Sequence, residues 1–392
     1  MSIIGIPLAD CADEWMGQLA LATGSAALAK LDGATLLGER AMLNNLAIPN
    51  RTSAGGACRL YDAINNRIAI NLPRTTDREL LPALFQADDF NPDDDAAIGA
   101  HIARSDAVEL LSRGRMMGMA IAAERETNTA GACTELVKGC PATASRSAPR
   151  IVDLSALWAG PLAAHLLWLA GANVVKVESR SRPDAMRDGD ITFYSLLNQG
   201  KASVVLDFAD QHDRHALLAL IADADIVIEA ARPRALAQLG IHAEQIVRAT
   251  PGLTWVTITG HGATGEASNW VGFGDDCGVA GGLSAALYAA SGRSGFVGDA
   301  IADPLTGIFT ARVAWQAWQS RQGGRFGLAM SRVIAQALTE ARVRDSMGLD
   351  ACLVAWNAAE GQPFPSVTRR SIGSLPAFGQ DTHAYLSQVT SC

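Results

Sequence analysis

Four aspartates stand where a carboxylate can do chemistry. Asp275 and Asp276 are adjacent in a glycine-flanked turn, and Asp299 and Asp303 are four residues apart, just before an apolar run that begins at Pro304. Two neighbouring carboxylates can place one neutral acid beside one charged base. Aspartate also caps helices, and proline suits the first helical turn, so a capping role is open at both sites.

Several familiar catalytic motifs are missing from the sequence. It contains no Gly-x-x-x-x-Gly-Lys-Ser/Thr phosphate loop, no Gly-x-Ser-x-Gly and no His-Glu-x-x-His. Its seven cysteines are irregularly spaced, which favours neither a disulfide framework nor a zinc site, and we expect no metal. What remains is the turn Gly160-Pro161 after a predicted strand, a place where ligands commonly bind.

The composition is that of a compact protein. Of 392 residues 49% are hydrophobic and 18% charged, with 40 acids against 32 bases and a net charge of −8. This balance favours neither nucleic acid nor an anionic membrane surface as a partner. The most apolar stretch, residues 162–175, is too short to span a bilayer, and the first residues lack a basic signal region. We therefore expect a cytoplasmic protein.

The elements that must position these aspartates alternate between strand and helix. Near-continuous runs of valine, isoleucine and leucine predict strands at 151–154, 173–178, 203–208, 226–229 and 253–259. Helical spacing separates them at 160–170, 215–222 and 233–239, and a further helix is predicted at 308–320. Such runs are typical of strands buried on both faces, so the sequence predicts an α/β fold with a parallel sheet.

The other segments are more mixed. Helical stretches at 12–31 and 95–113 flank a predicted hairpin, 59–62 with 68–72, whereas small and helix-breaking residues at 127–150 indicate a linker. We predict a smaller α+β portion at 1–126, the linker at 127–150, a Rossmann-like domain at 151–325 and a C-terminal segment at 326–392 that ends as a surface tail.

Six segments, taken in order, carry a resemblance to a known family. They are residues 151–161, 169–178, 198–207, 224–229, 251–262 and 297–307, the first reading Ile151-Val-Asp-Leu-Ser-Ala-Leu-Trp-Ala-Gly-Pro161 and the last Val297-Gly-Asp-Ala-Ile-Ala-Asp-Pro-Leu-Thr-Gly307. Together they resemble the class III CoA-transferase (CaiB/BaiF) family, which includes formyl-CoA transferase and α-methylacyl-CoA racemase. The resemblance implies a Rossmann-like CoA-binding domain, acyl-CoA and carboxylic acids as substrates, and a homodimer.

The order of the segments departs from the family. Its members begin at the counterpart of Ile151 and carry a smaller domain and a glycine-rich loop downstream. Here residues 53–62, with Gly55 and Gly56, resemble that loop but come first, and residues 375–383 resemble the family's extreme C-terminus. The chain therefore resembles a permuted, shortened member. A second interpretation is that residues 20–39 echo 282–303 as a degenerate copy.

The resemblance places the family's nucleophilic aspartate on Asp303, because its four-residue step to Gly307 matches the family pattern. Asp299 is the rival. Such a carboxylate attacks an acyl-CoA thioester to form a mixed anhydride, which the released thiolate converts into an enzyme-bound CoA thioester. Gly55 and Gly56 would then belong to the loop that shields the anhydride from water.

CoA carries phosphates, so its site needs bases and helix N-termini near the strand ends. The family often has a glutamine where this chain has Trp158, which would then close the pocket. The expected CoA-binding residues are Trp158, Ala159, Arg180, Arg182, Lys201, Arg232 and Arg234.

Two other functions stay open. The racemases of the family carry a histidine near the position of Asp275, whereas this chain has none there and its nearest is His261 in a Thr-Gly-His-Gly turn. This favours CoA transfer over racemisation. A non-catalytic acyl-CoA-binding subunit is the third interpretation, suggested by the short downstream part.

Overall fold

The structure is a computed structural model that describes residues 4–127, 131–144 and 146–389, without the side chains of Pro233, Arg234, Gln388 and Val389. Its first part combines helices with three short strands. In chain order these elements are α1 Ala9–Thr23, α2 Gly33–Leu43, β1 Cys58–Asp62, β2 Arg67–Asn71, α3 Thr75–Arg78, α4 Leu81–Phe85, α5 Asp95–Ile102, α6 Ala107–Met116 and β3 Ala120–Ala123.

The remainder alternates between strand and helix, as the sequence predicts. Its elements are β4 Cys133–Lys138, β5 Arg150–Asp153, α7 Ala159–Leu169, β6 Asn173–Ser179, α8 Met186–Gly189, α9 Ile191–Asn198, β7 Ala202–Leu206, α10 Gln211–Ala222, β8 Ile226–Glu229, α11 Pro233–Gln238, α12 Ala243–Ala249, β9 Thr254–Thr259, α13 Gly274–Ala280, α14 Leu283–Ser291, α15 Ala302–Ser320, β10 Gly324–Ala329, α16 Met330–Ala358 and α17 Thr382–Val389.

The large sheet has seven strands in the order β4-β10-β9-β8-β5-β6-β7. Strands β5 to β10 are parallel, and only the edge strand β4 runs antiparallel to its neighbour. Without β4 the order is that of a doubly wound Rossmann sheet, in which the order of the strands reverses between β5 and β8. The predicted α/β fold is therefore confirmed.

Helices cover both faces of this sheet. One face packs on α7 and α15, in a core that continues into α1, α2 and α16. The other face packs on α10 and α12. Burial on both faces explains why the strand sequences are almost continuously apolar.

The predicted hairpin is confirmed and extended by a third strand. Strands β1 and β2 pair antiparallel, and β2 pairs in turn with β3. A separate small core lies between this sheet and helices α4, α5 and α6. The helix predicted at 95–113 is wrong in its continuity, because the chain forms two helices, each beginning at an aspartate that caps its first turn.

Two predicted segments contain strands of the large sheet. The linker at 127–150 includes β4, which pairs with β10, and the boundary predicted between 325 and 326 falls inside β10. The other domain boundaries stay predictions. The predicted tail contacts the sheet: the backbone N–H groups of Ser203 and Val205, on the edge strand β7, donate to Asp381 and Thr382 at 2.8 and 3.0 Å. The tail thus satisfies the free edge of the sheet.

In the part of the chain that the structure describes, no helix combines the length and the apolar character needed to cross a membrane.

Candidate active site

Asp303 lies in the first turn of α15 and faces a cavity of about 260 Å³. The wall of the cavity comes from loops that follow three neighbouring strands, with Leu157 after β5, Arg232 after β8, and Gly260 and Phe273 after β9. These loops meet at the carboxyl edge of the sheet, where the strand order reverses between β5 and β8. Open α/β sheets bind their ligands at this position.

The Asp303 carboxyl combines partial exposure with a raised pKa. Its side chain is half-buried, and the backbone N–H of Ala159, at the start of α7, hydrogen-bonds to it. Burial raises the pKa of Asp303 to about 7, the charge of Arg40 opposes this rise, and the neighbouring Asp275 adds to it. The group is therefore reachable and changes its charge near neutral pH.

Gly274 leaves room for this carboxylate. A Cβ atom built on Gly274, the first residue of α13, would overlap both the Asp303 Oδ2 atom and the backbone oxygen of Ala300. Only glycine fits this close approach.

Asp299, the rival nucleophile, is fully buried and paired with Arg40 of α2. Arg40 Nε donates to Asp299 Oδ2 at 2.8 Å, and Arg40 Nη2 donates to the other carboxylate oxygen. The guanidinium also stacks over the ring of Trp158, 4.9 Å from its centre. Trp158 is itself buried and packs edge-on against Phe193, so it contributes to the wall behind Arg40.

Asp275 and Asp276 differ in environment. Asp275 accepts the backbone N–H of Ala300 at 3.1 Å, and burial, reinforced by the charge of Asp299 and opposed by Arg40, raises its pKa to about 7. Asp276 is fully buried and accepts the N–H of the N-cap residue Phe273 at 3.0 Å, as the third helical residue of a capping box does. The capping interpretation thus describes Asp276, whereas Asp275 is a titratable neighbour of Asp303.

His261 belongs to a buried cluster behind the cavity. Its Nε2 atom lies 3.8 Å from Asp276 Oδ2, and its Nδ1 atom lies 3.7 Å from Glu126 Oε1. The side chain does not line the Asp303 cavity. A Cβ built on Gly272, a residue of the cavity wall, would lie 2.9 Å from His261 Nε2, so the imidazole lies directly behind this wall.

Lys201 does not lie where a phosphate could reach it, which corrects the sequence prediction. Its ammonium is buried and donates to Asp153 Oδ2 at 2.8 Å and to the Pro161 oxygen and Asn198 Oδ1 at 2.9 Å. Because its three donors are all used, Lys201 is a structural counter-ion of Asp153. Asp153 in turn accepts the backbone N–H of Ser155, in the loop that leads to α7.

The other predicted CoA-binding bases remain available. Arg180 and Arg182 follow β6, and Arg232 follows β8; all three are exposed. Among the described residues, none of the three side chains has an ion-pair partner. The side chain of Arg234 lies outside the description, and Ala159 lines the Asp303 cavity.

The glycine-rich loop lies beside Arg40. Gly56 has φ +80° in a turn, and a Cβ built on Gly55 would lie 3.5 Å from Arg40 Nη2. Neither glycine lines the Asp303 cavity itself. Their proposed shielding role stays a prediction.

Two features were missed in the sequence. Arg40 gave no signal because its partner Asp299 lies 259 residues away. The turn after β9 has the spacing Gly260-x-Gly262-x-x-Gly265 of dinucleotide loops, but a four-residue 3₁₀ helix, Glu266–Asn269, follows it rather than an α-helix. This turn therefore lacks the helix N-terminus that such loops offer a pyrophosphate.

The family model of CoA-transferase family III matches residues 147–351. This match covers more than half of the chain and includes the sheet strands β5 to β10 and Asp303. The chain belongs to this family.

Individual relatives match different shares of the chain. The chain is 30% identical over 180 residues to succinyl-CoA–D-citramalate CoA-transferase of Chloroflexus aurantiacus, covering 44% of this chain and 45% of that protein. It is 27% identical over 272 residues to formyl-CoA:oxalate CoA-transferase of Rhodopseudomonas palustris, covering 62% of each. A crystal structure of Rv3272 from M. tuberculosis superimposes with a TM-score of 0.44 at 25% identity, over 55% of this chain and 58% of that one. The chain thus spans about half the length of the relatives it matches.

Proposed function

We propose that this protein transfers CoA between carboxylic acids, with Asp303 as the nucleophile. The observation that carries the proposal is the Asp303 carboxyl, which opens into the cavity at the switch point of the sheet. The competing carboxylate, Asp299, is buried and accepts hydrogen bonds from the Nε and Nη2 atoms of Arg40. Of these two carboxylates, Asp303 therefore combines access with the lack of an ion-pair partner.

The reaction proceeds through two covalent forms of Asp303. A carboxylate oxygen attacks the thioester carbonyl of the donor, the C–S bond breaks, and CoA leaves as thiolate with a mixed anhydride formed. The thiolate attacks the aspartyl carbonyl of the anhydride and releases the donor acid, which leaves an aspartyl-CoA thioester. The acceptor carboxylate attacks this thioester, and the same two steps in reverse order return Asp303 and the new acyl-CoA.

The surrounding residues support the charges that these steps create. The N–H of Ala159 and the positive end of α7 face the carboxylate of Asp303. Preorganised donors of this kind stabilise negative charge that develops in a transition state. Gly274 keeps space for the enlarged group on Asp303.

Arg180, Arg182 and Arg232 support CoA binding across the strand ends, because they are exposed bases after β6 and β8. We expect the affinity for CoA to fall on Arg180→Ala or Arg232→Ala. From the resemblance we also infer a homodimer, and from the irregular spacing of the cysteines we infer that it acts in the reducing cytoplasm.

The test is a transfer assay with an acyl-CoA donor and a ¹³C-labelled carboxylate acceptor, read as labelled acyl-CoA by mass spectrometry. Asp303→Asn keeps the size of the side chain but cannot form the anhydride, so transfer should fall by about a thousandfold or more. Asp210→Asn is the matched control, because Asp210 caps the first turn of α10 on the surface.

Measuring deuterium uptake from D₂O alongside transfer separates the alternatives. Rapid entry of solvent deuterium at the α-carbon of a 2-methylacyl-CoA would indicate a racemase instead of a transferase. Binding without transfer or exchange would indicate a non-catalytic subunit. Full transfer activity in Asp303→Asn would remove Asp303 from the mechanism.

A further inference from the structure

The turn between β5 and α7 has an unusual backbone conformation at Leu157. The φ angle of this residue is +66°, in the left-handed region that side chains other than glycine rarely adopt. The Leu157 side chain is exposed and lines the Asp303 cavity. Such a conformation persists only where the surrounding structure holds it, and it is frequent at active sites. A neighbouring group is therefore expected to hold Leu157 in place.

That group is the carboxylate of Asp184, in the segment between β6 and α8. The backbone N–H of Leu157 donates to both Asp184 carboxylate oxygens, each at 3.2 Å. The carboxylate is buried and has two further partners. It accepts the N–H of Met186 at 3.1 Å, and Lys176 Nζ lies 3.2 Å from its Oδ2 atom. Asp184 is thus a fixed acceptor beside the turn.

The turn leads directly to the N–H group that faces Asp303. Trp158 is the N-cap of α7, and the first helical residue, Ala159, donates its N–H to the Asp303 carboxyl. Burial raises the pKa of Asp303, and this hydrogen bond opposes the rise. Peptide units are planar, so only a few torsions separate the N–H of Leu157 from that of Ala159. A change in the φ angle of Leu157 therefore redirects the N–H of Ala159.

We propose that Asp184 is a positioning residue for CoA transfer, because its carboxylate holds Leu157 in the conformation that directs the Ala159 N–H at Asp303. Asp184 does not line the Asp303 cavity, so it acts through the backbone of the turn. The inference rests on the proposed function, in which Asp303 attacks as a carboxylate. The charged or titratable groups around Asp303 and its cavity lie outside this turn; they are Arg40, Arg74, Arg232, Asp275, Asp276 and Cys277.

The test is the pH dependence of single-turnover CoA release by the variant Asp184→Ala. Without its acceptor the turn relaxes and the Ala159 N–H leaves Asp303, so the midpoint of the profile should rise by about one pH unit. The loss of a negative charge would by itself lower the pKa of a neighbouring carboxyl. A rise therefore reports the lost hydrogen bond and not the lost charge.

Asp225→Ala is the matched control. Asp225 also accepts a backbone N–H, that of Arg150 at 2.8 Å, and pairs with Arg146 at 3.0 Å. These contacts lie at the amino ends of β5 and β8, at the opposite edge of the sheet from Asp303. The midpoint in this variant should equal that of the unmodified protein.

Two further changes address the turn itself. Glycine adopts a positive φ without strain, so Leu157→Gly added to Asp184→Ala should return the midpoint toward that of the unmodified protein. Replacing Leu157 by its α-hydroxy acid removes the N–H donor and keeps every side chain. This replacement should raise the midpoint even where Asp184→Ala folds poorly.

An Asp184→Ala variant that loses stability in urea but keeps its midpoint would overturn the proposal, since Asp184 would then be a structural residue alone. A lower midpoint would also overturn it, because only the lost charge would then act. The Asp303 carboxyl is titrated separately by NMR with ¹³Cγ-labelled aspartate, and its signal is assigned by its loss in Asp303→Asn. The same upward shift there, without CoA release by the unmodified protein, would refute the proposed function and support the positioning of the Ala159 N–H.

Discussion

Asp299 and Asp303 are one helical turn apart in sequence, yet they lie in different environments. Asp299 precedes α15 in a turn and is enclosed with Arg40, whereas Asp303 lies on the first turn and opens into the cavity. The sequence predicted both as candidates and favoured Asp303 through the resemblance. The sequence could not show which of the two aspartates is accessible, because Arg40, the ion-pair partner of Asp299, lies 259 residues earlier in the chain.

The raised pKa of Asp303 predicts a pH dependence. Only the ionised carboxylate attacks a thioester, and its pKa is raised to about 7, so the rate should increase as the pH rises through this value. Well below pH 7 the rate should fall about tenfold per unit. Because Asp275 also titrates at about 7, the measured midpoint belongs to the pair. Single-turnover CoA release between pH 5 and 9 measures it, and a flat profile down to pH 5 would contradict the assignment.

Arg40 should influence the same profile. Its charge opposes the rise in the pKa of Asp303, so Arg40→Gln should shift the midpoint of the profile to higher pH. The variant also leaves Asp299 buried and uncompensated, which should lower the free energy of unfolding by about 3 kcal/mol.

The double variant Arg40→Gln/Asp299→Asn separates these two effects. It removes both members of the ion pair, so most of the lost stability in urea should return. Loss of the Asp299 charge lowers the pKa of Asp275, so the midpoint should be compared with that of the Asp299→Asn single variant and should lie above it. If the two midpoints are equal, Arg40 acts only as a structural residue and not through its charge.

At the scale of elements, the loop between β5 and α7 depends on a buried charge network. Lys201 neutralises the charge of Asp153, and Lys176 donates to the backbone oxygen of Ser155 at 2.9 Å. Two buried lysines therefore stabilise the conformation of this loop. The sequence predicted the strands here correctly from their apolar runs. It misplaced Lys201 because a lysine in the turn before a strand looks the same whether its side chain turns inward or outward.

We expect Lys201→Met to lower the free energy of unfolding by about 3 to 5 kcal/mol, because Asp153 would stay buried without its counter-ion. Urea denaturation followed by circular dichroism measures the loss. Lys138→Met, at an exposed position of the edge strand β4, should change the stability little. Equal stability of both variants would contradict the structural role of Lys201.

Edge elements were harder to predict than central ones. Strand β4 is largely exposed and pairs only with β10, so its sequence lacks the apolar run of a central strand. Gly323 precedes strand β10, which begins with Gly324 and Arg325, and these residues obscure the pattern of the strand. Both strands depend on pairing between distant segments, and such pairing leaves no local signal.

At the scale of the whole molecule, the family core and the first part build the candidate site together. The core supplies Asp303 and the loops at the switch point, and the first part supplies Arg40. The sequence predicted the core with its aspartate and a smaller α+β portion before it. How the two parts meet could not be predicted, because their contacts join residues more than a hundred positions apart.

The central claim is that Asp303 becomes covalently modified during CoA transfer, and peptide mapping after incubation with acyl-CoA tests it directly. We expect an acyl- or CoA-derived adduct on the peptide that contains Asp303, removable by hydroxylamine and missing in Asp303→Asn. The Asp210→Asn control should carry the adduct as the unmodified protein does. An adduct on Asp299, or full transfer with no adduct on any carboxylate, would contradict the account.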